Sequence, residues 1–534
     1  MGRRFLFVSL VVSLLSPAAT AFAEPEPVDL DMVTKIRDEG LNRSRVMEIA
    51  AHLTTGIGAR LTGTPALEEA NEWTRNWLEE QGLSKAEVVP FPFGEGWTFS
   101  RSEVKLTKPY EAVLSALPEA WTPGTQGAVQ GRAMRLEVSS VKDLEEYAGK
   151  LEGTILFLDE EREIEESDRP PFRRYSDDEL SELVSIELSE RRRRGNWRER
   201  ARKRWKAGEE LRQRLIDEGV VATVEISSRN HGIVRVTGGG SGGRSERSRG
   251  VPSLVMAAES YNRVLRLLDE DAEVELEIDI AARFHPAKDS YNTFAELPGG
   301  DLAEEVVLAG AHLDSWHGGT GATDNAAGCA VAMEALRILK ALDVEPRRTI
   351  RVALWTGEEQ GLFGSRAYVE EHLATRPEHT DSRQLALPKG LRDATWPIQP
   401  KPDHGRFSAY FNLDNGGGKI RGIYAQENAA IRPIFEAWFE PFHDLGATTV
   451  TLESTGSTDH VPFDRVGLPG FQFIQDGLDY WSRTHHSDLD TFDHLHEGDL
   501  KQASVVLASF LYHAAMRDEL LPRKPMPQEP PKDR

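Results

Sequence analysis

Val306-Val307-Leu308-Ala309-Gly310, the apolar-faced segment 325–342 and Thr349-Ile350-Arg351-Val352-Ala353-Leu354-Trp355 follow one another and decide the fold. A short, unbroken apolar run reads as a strand buried on both faces. The middle segment has the three- and four-residue spacing of a helix. The alternation continues outward, with helix over 363–373, strand over 407–413, helix over 428–445, strand over 468–474 and a closing helix over 500–516. Strand–helix alternation predicts an α/β fold whose mostly parallel central sheet is flanked by helices.

Upstream, residues 29–82 read as helical. Ala66, Leu67, Ala70, Trp73, Trp77 and Leu78 mark an amphipathic helix over 65–81 that Gly82 stops. Residues 87–93 read as an edge strand, because Pro90 and Pro92 interrupt it. Residues 117–282 carry short β-like runs at 132–138, 153–158, 220–226 and 251–256 and a last alternating strand at 272–281, read as a small inserted α/β domain. A charged stretch, 160–217, interrupts it. Its basic run, from Arg191 to Lys206, reads as a solvated helical hairpin neutralised by Glu179, Glu182, Glu187, Glu190, Glu209 and Glu210, with a docking surface for an acidic partner as the other reading. Gly238 to Gly243 reads as a flexible loop, since no Lys-Ser/Thr ending follows. The expected partition is 24–116 and 283–521 for the main unit, 117–282 for the insert and 522–534 for a disordered tail.

The beginning of the chain reads as an address. Arg3 and Arg4 precede an apolar stretch, Phe5 to Leu15, and Ala21-Phe22-Ala23 offers a small-x-small cleavage site. The stretch is short for a membrane span of about 20 residues, so the expectation is a signal peptide over 1–23, cleavage after Ala23, a secreted or periplasmic protein and no integral membrane span. Net charge is −23, with 64 basic and 87 acidic residues, which argues against a nucleic-acid partner. Cys329 is the single cysteine, so no intrachain disulfide and no thiolate zinc cluster can form. Export without disulfides fits a bacterial periplasm or exterior.

The chemistry-bearing residues fall just past the carboxyl ends of expected strands, where open α/β sheets place their sites. His312 and Asp314 follow Gly310, Asp324 opens the next helix, Glu358 and Glu359 follow Trp355, Asp414 follows Leu413, and His485 and His486 come after the last strand. Imidazole and carboxylate without thiolate suit a catalytic zinc site. Two histidines and three carboxylates exceed what one ion needs and fit two ions about 3.5–4 Å apart that share a carboxylate. Asp314, two residues from His312, is expected to accept the free imidazole N–H and fix the tautomer. One of the adjacent Glu358 and Glu359 can bind metal while the other stays free as a base.

Gly310-Ala311-His312-Leu313-Asp314-Ser315, Gly321-Ala322-Thr323-Asp324-Asn325-Ala326-Ala327-Gly328, the run from Trp355 to Ser365, Asn412-Leu413-Asp414 and His486-Ser487-Asp488-Leu489-Asp490-Thr491 resemble the co-catalytic di-zinc exopeptidases. That family includes leucyl aminopeptidases and glutamate carboxypeptidases. Gly58-Ala59-Arg60-Leu61-Thr62-Gly63-Thr64-Pro65 and the inserted domain, which resembles a protease-associated domain, bring the chain nearest the plasma glutamate carboxypeptidase (carboxypeptidase Q) group. The charged stretch 160–217 is outside the resemblance. The resemblance implies two zinc ions per chain, His312 and Asp414 completing one, Glu359 and His486 the other, and Asp324 bridging. Which carboxylate goes with which histidine stays open. It further implies Glu358 as general base, short peptides or dipeptides as substrates, and a homodimer. The His-Ser/Thr-x-x-Asp-Thr frame selects His486 over His485. Ser457-Thr458-Asp459-His460 resembles a segment near the site in that family. Cys329 reads as a small packing residue. Three other readings share the fold: a di-zinc amidase acting on a non-peptide amide, a glutaminyl cyclase with one zinc, and a non-enzymatic binding protein.

Overall fold

A computed structural model describes residues 25–136, 141–164, 168–184, 197–239 and 248–530. The expected signal segment, residues 191–196 of the basic run and the glycine run from residue 240 lie outside them. The strands in chain order are β1 (Ser84–Lys108), β2 (Ala112–Leu114), β3 (Ala116–Pro118), β4 (Val129–Arg135), β5 (Thr154–Phe157), β6 (Ala222–Ile226), β7 (Ser253–Met256) and β8 (Glu275–Leu297). Then come β9 (Leu302–His312), β10 (Arg348–Trp355), β11 (Ala374–Thr375), β12 (Gln399–Pro400), β13 (Phe407–Asn412), β14 (Ile420–Tyr424), β15 (Thr449–Thr451) and β16 (Gly470–Gln475). All but β11 and β12 join one sheet, ordered β15-β14-β16-β13-β9-β10-β8-β4-β5-β6-β7-β3, with β1 on β8 and β2 on β1. β16, β13, β9 and β10 run parallel, as do β4 to β7. The expected mostly parallel α/β sheet is what is found.

The expected boundary at 282 falls inside β8, which runs through it unbroken. On one side β8 pairs with β4 through residues 275–278 and with β10 through residues 293–297. On the other it pairs with β1 from Ser84↔Glu296 to Lys108↔Glu275. The insert and the main unit are thus spliced by one strand. β1 is likewise far longer than the expected 87–93. Its prolines are tolerated because, among the described residues, β1 carries β2 only at residues 104–106, leaving the edge open beside Pro90 and Pro92.

Each half has its own core. In the main unit the helices Ala327–Ala341 and Glu497–Met516 are buried nearly all round, because both pack on the sheet and on each other. Phe510 is fully buried and its ring meets Phe411, Phe435, Trp438, Phe439 and Phe473. Phe510→Ala is expected to cost roughly 3–5 kcal/mol of stability, read as a shift in the urea midpoint. In the insert, Phe157, Val224, Leu254, Tyr261 and Ile278 form a second cluster.

Two further expectations change. Residues 522–526, expected to be disordered, pack on the main unit: Asn428 Nδ2 donates to the Pro522 carbonyl at 2.7 Å, Lys524 Nζ donates to the Gln426 carbonyl at 2.7 Å, and Met526 packs among buried side chains. Their order comes from partners elsewhere, which composition does not register. The charged stretch does form helices, Asp177–Val184 and Trp197–Asp217, but it is tied down rather than merely solvated. Arg174 Nη1 pairs with Asp476 at 3.0 Å and Asp499 at 2.7 Å, and Arg202 Nη2 with Asp393 at 2.7 Å.

Candidate metal centre

Three parallel strands deliver the site. β9 ends on His312, Glu358 stands three residues past the end of β10, and Asp414 two past the end of β13. Asp324 lies in the turn opened by left-handed Gly321, φ +61°, ahead of the helix Ala327–Ala341. His486 sits on a loop eleven residues past β16 and itself has a left-handed backbone, φ 60°.

The five expected ligands converge. His312 Nε2 is 3.2 Å from Asp414 Oδ1 and 3.2 Å from Asp324 Oδ1. His486 Nε2 is 3.2 Å from Asp324 Oδ2 and 3.1 Å from Glu359 Oε2. Asp324 thus offers one oxygen to each imidazole, and the carboxylates sort as Asp414 with His312 and Glu359 with His486. Ligands bonded at 2.0–2.1 Å to one tetrahedral ion lie about 3.3 Å apart, close to these separations. Among the described residues, Glu359 Oε1 is buried without a hydrogen-bond partner, and Asp324 Oδ2, also buried, meets only the His486 ring 3.2 Å away. A buried carboxylate oxygen without a partner is costly, and a cation between these groups removes that cost. The residues therefore fit zinc.

Burial pushes Glu358 well above its usual range, the Asp414 and Asp459 charges adding to it against His312. Burial likewise pushes Glu359 up to about 7, with His486 opposing and Asp324 adding. Burial also works against the charge of Asp324, but the two imidazoles outweigh it and hold its carboxyl well below the usual range.

Asp314 is corrected in its detail. His312 Nδ1 meets the Asp314 backbone carbonyl at 2.9 Å, whereas the carboxylate is 3.7 Å away, too far to bond. That carboxylate instead accepts from Thr62 Oγ1 at 2.9 Å and from the backbone N–H groups of Glu358 and Glu359 at 3.3 and 3.4 Å. It fixes the turn that carries both glutamates. The backbone carbonyl of Asp314 thus lies nearer the ring than its side chain does.

His485 stacks on His486, ring centroids 3.7 Å apart, and lines the cleft; together with Asp324 the pair forms an alternative ligand set. Ser457 and Thr458 line the same cleft, and Asp459 lies buried beneath it, accepting from Ser365 Oγ. Cys329 is fully buried, its Sγ 3.0 Å from the His312 carbonyl, with burial pushing the thiol up to about 12, as suits a packing residue. The cleft holds about 2500 Å³ and includes Glu358, Asp414 and the exposed Trp481 on its walls.

Three positioning residues were not singled out from sequence. Fully buried Arg60 donates to the carbonyls of Leu53, Gly58, Leu313, Thr320 and Gly321 at 2.8–3.0 Å, tying together the loop between His312 and Asp324. Thr62 bridges Asp314 to the Gly357 N–H. Asp490 accepts from the Thr323 and Asp324 N–H groups at 2.7 and 3.1 Å and so holds the Asp324 turn. The strings 58–65 and 486–491 carried the signal, without the roles.

Carboxypeptidase Q of Bos taurus is 27% identical over 489 residues, covering 91% of this chain and 88% of that one. A peptidase M28 precursor from Shewanella amazonensis superposes with TM-score 0.66 at 23% identity, over 93% of this chain and 99% of that one. A zinc aminopeptidase from Bacillus subtilis superposes with TM-score 0.55 at 18% identity, over 89% and 95%. Residues 292–511, which span the end of β8 and every residue of the metal centre, match the family model of Peptidase family M28. Residues 292–511 of the chain form a domain of peptidase family M28.

Proposed function

We propose that this zinc exopeptidase holds two zinc ions, one at His312, Asp414 and Asp324 and one at His486, Glu359 and Asp324, and hydrolyses short peptides or dipeptides. The observation that carries the reading is Asp324, which offers one oxygen to each of two imidazoles at 3.2 Å. When bound, zinc supplies Lewis acidity, polarising a carbonyl and making a water deprotonable near neutral pH. Glu358 takes the proton of the attacking water on its carboxylate and returns it to the leaving amine nitrogen. Asp314 keeps Glu358 in place through the backbone N–H.

Substrate class follows the relatives, one being called a carboxypeptidase and another an aminopeptidase. Export is proposed on the basic, apolar and small-x-small order of residues 3–23; among the described residues no helix is long and apolar enough to cross a membrane. The test is zinc content together with hydrolysis of free, N-blocked and C-amidated dipeptides. Two zincs with hydrolysis of the free dipeptide is the expected result, and the blocked substrate that fails names the recognised terminus. Two zincs with no peptide cleaved would favour an amidase acting on another amide.

A further inference from the structure

The two imidazoles of the metal centre meet opposite partners at their far nitrogens. His312 Nδ1 faces the Asp314 carbonyl, which can only accept. His486 Nδ1 lies 3.0 Å from Arg235 Nη2, which can only donate. A histidine that gives Nε2 to a metal keeps a hydrogen on Nδ1 and donates it to a carbonyl or carboxylate. His312 has that arrangement already. His486 has the reverse, since a donor occupies the place where an acceptor is needed.

Arg235 comes from the inserted region, 251 residues before His486, and is held there by more than its own side chain. Val236 N–H donates to the His486 carbonyl at 2.9 Å, Asp488 N–H to the Val234 carbonyl at 3.1 Å, and Val234 N–H to Asp488 Oδ1 at 3.0 Å. These bonds form a short antiparallel bridge across Arg235 and Ser487. The Trp316 ring closes the junction, 6.1 Å from the His486 ring and 6.2 Å from the Trp121 ring. His486 adopts a left-handed backbone, φ 60°, uncommon for a residue with a side chain. The ring is therefore held in position while its far nitrogen faces the wrong kind of partner.

We propose that Arg235 makes the metal position at His486, Glu359 and Asp324 the weaker of the two, so that zinc fills the position at His312 first. The inference rests on the two-zinc reading above. When the second ion arrives, Arg235 Nη2 must give up Nδ1, and the insert thereby sets the affinity of a site built in the main unit.

Metal-free full-length chain titrated with Zn²⁺ against a chromophoric chelator tests this. Wild type is expected to show two steps that differ by about 10-fold or more, the range by which partners of metal ligands shift affinity. Arg235→Gln supplies an amide oxygen that accepts from Nδ1, and is expected to tighten the second step by about 10-fold and leave the first unchanged. A merely structural loss at this junction would not tighten anything. Arg235→Lys still only donates, so its two steps stay apart. Two equal steps in wild type would overturn the inference even if neither variant folds. So would an Arg235→Gln titration whose second step is unmoved or weaker. Binding of no zinc would overturn the two-zinc reading, and this inference with it.

Discussion

Glu358→Gln is expected to lower dipeptide hydrolysis by about 10²–10⁴-fold, the share a positioned acid–base group contributes, while leaving zinc content at the wild-type level. The substitution keeps the volume of a side chain that is 9% exposed, and it keeps the backbone N–H that donates to Asp314 Oδ1. It removes the carboxylate that would accept a proton. Nothing in the set His312, Asp324, Asp414, Glu359 and His486 needs to move. The check is kcat on a free dipeptide beside zinc analysis of the same preparation. Unchanged kcat would remove Glu358 from the base role, and loss of zinc would make it a ligand.

Asp324→Asn is expected to empty both proposed positions at once. An amide retains one oxygen but turns a donor toward the second imidazole, so the two histidines no longer share a carboxylate. The turn itself should persist, because Asp490 holds it through the backbone N–H groups of residues 323 and 324, which the change does not touch. Zinc affinity should fall by more than the roughly 10–100-fold typical of losing a partner behind a ligand. In contrast, Asp414→Asn should weaken only the position at His312. Chelator competition separates the two outcomes. A variant Asp324→Asn that still binds two zincs tightly would sink the bridging role.

How much of this was legible depended on whether the physics was local. The parallel strands β9, β10 and β13 are continuous apolar runs, and any strand buried on both faces has to look that way. Their carboxyl ends therefore pointed to His312, Glu358, Glu359 and Asp414. Asp324 was legible from its glycine-rich turn. Arg60 was not, because its five carbonyl partners are scattered over three segments and leave no periodic trace. The reach of Arg235 to His486 has no sequence signal either. The spacing of Asp314 from His312 sets it beside the ring, but whether its carbonyl or its carboxylate meets Nδ1 is a matter of backbone geometry that spacing does not report. The extent of β8 was hidden for a similar reason: alternation stops near residue 281, between the end of its pairing with β4 at residue 278 and the start of its pairing with β10 at residue 293, although the pairing with β1 continues.

That splice strand also governs the order of folding. Ser84 in β1 finds its partner only at Glu296, 212 residues later. At synthesis rates of roughly 5–20 residues per second β1 waits about ten to forty seconds for β8, and contacts this distant in sequence form slowly even afterwards. Through that interval β1 is an open edge that could pair with another chain. Pro90 and Pro92, each lacking an N–H to offer a stray strand, make its middle a poor template for aggregation. The residues that broke the strand pattern in the sequence thus guard the longest-waiting strand of the fold.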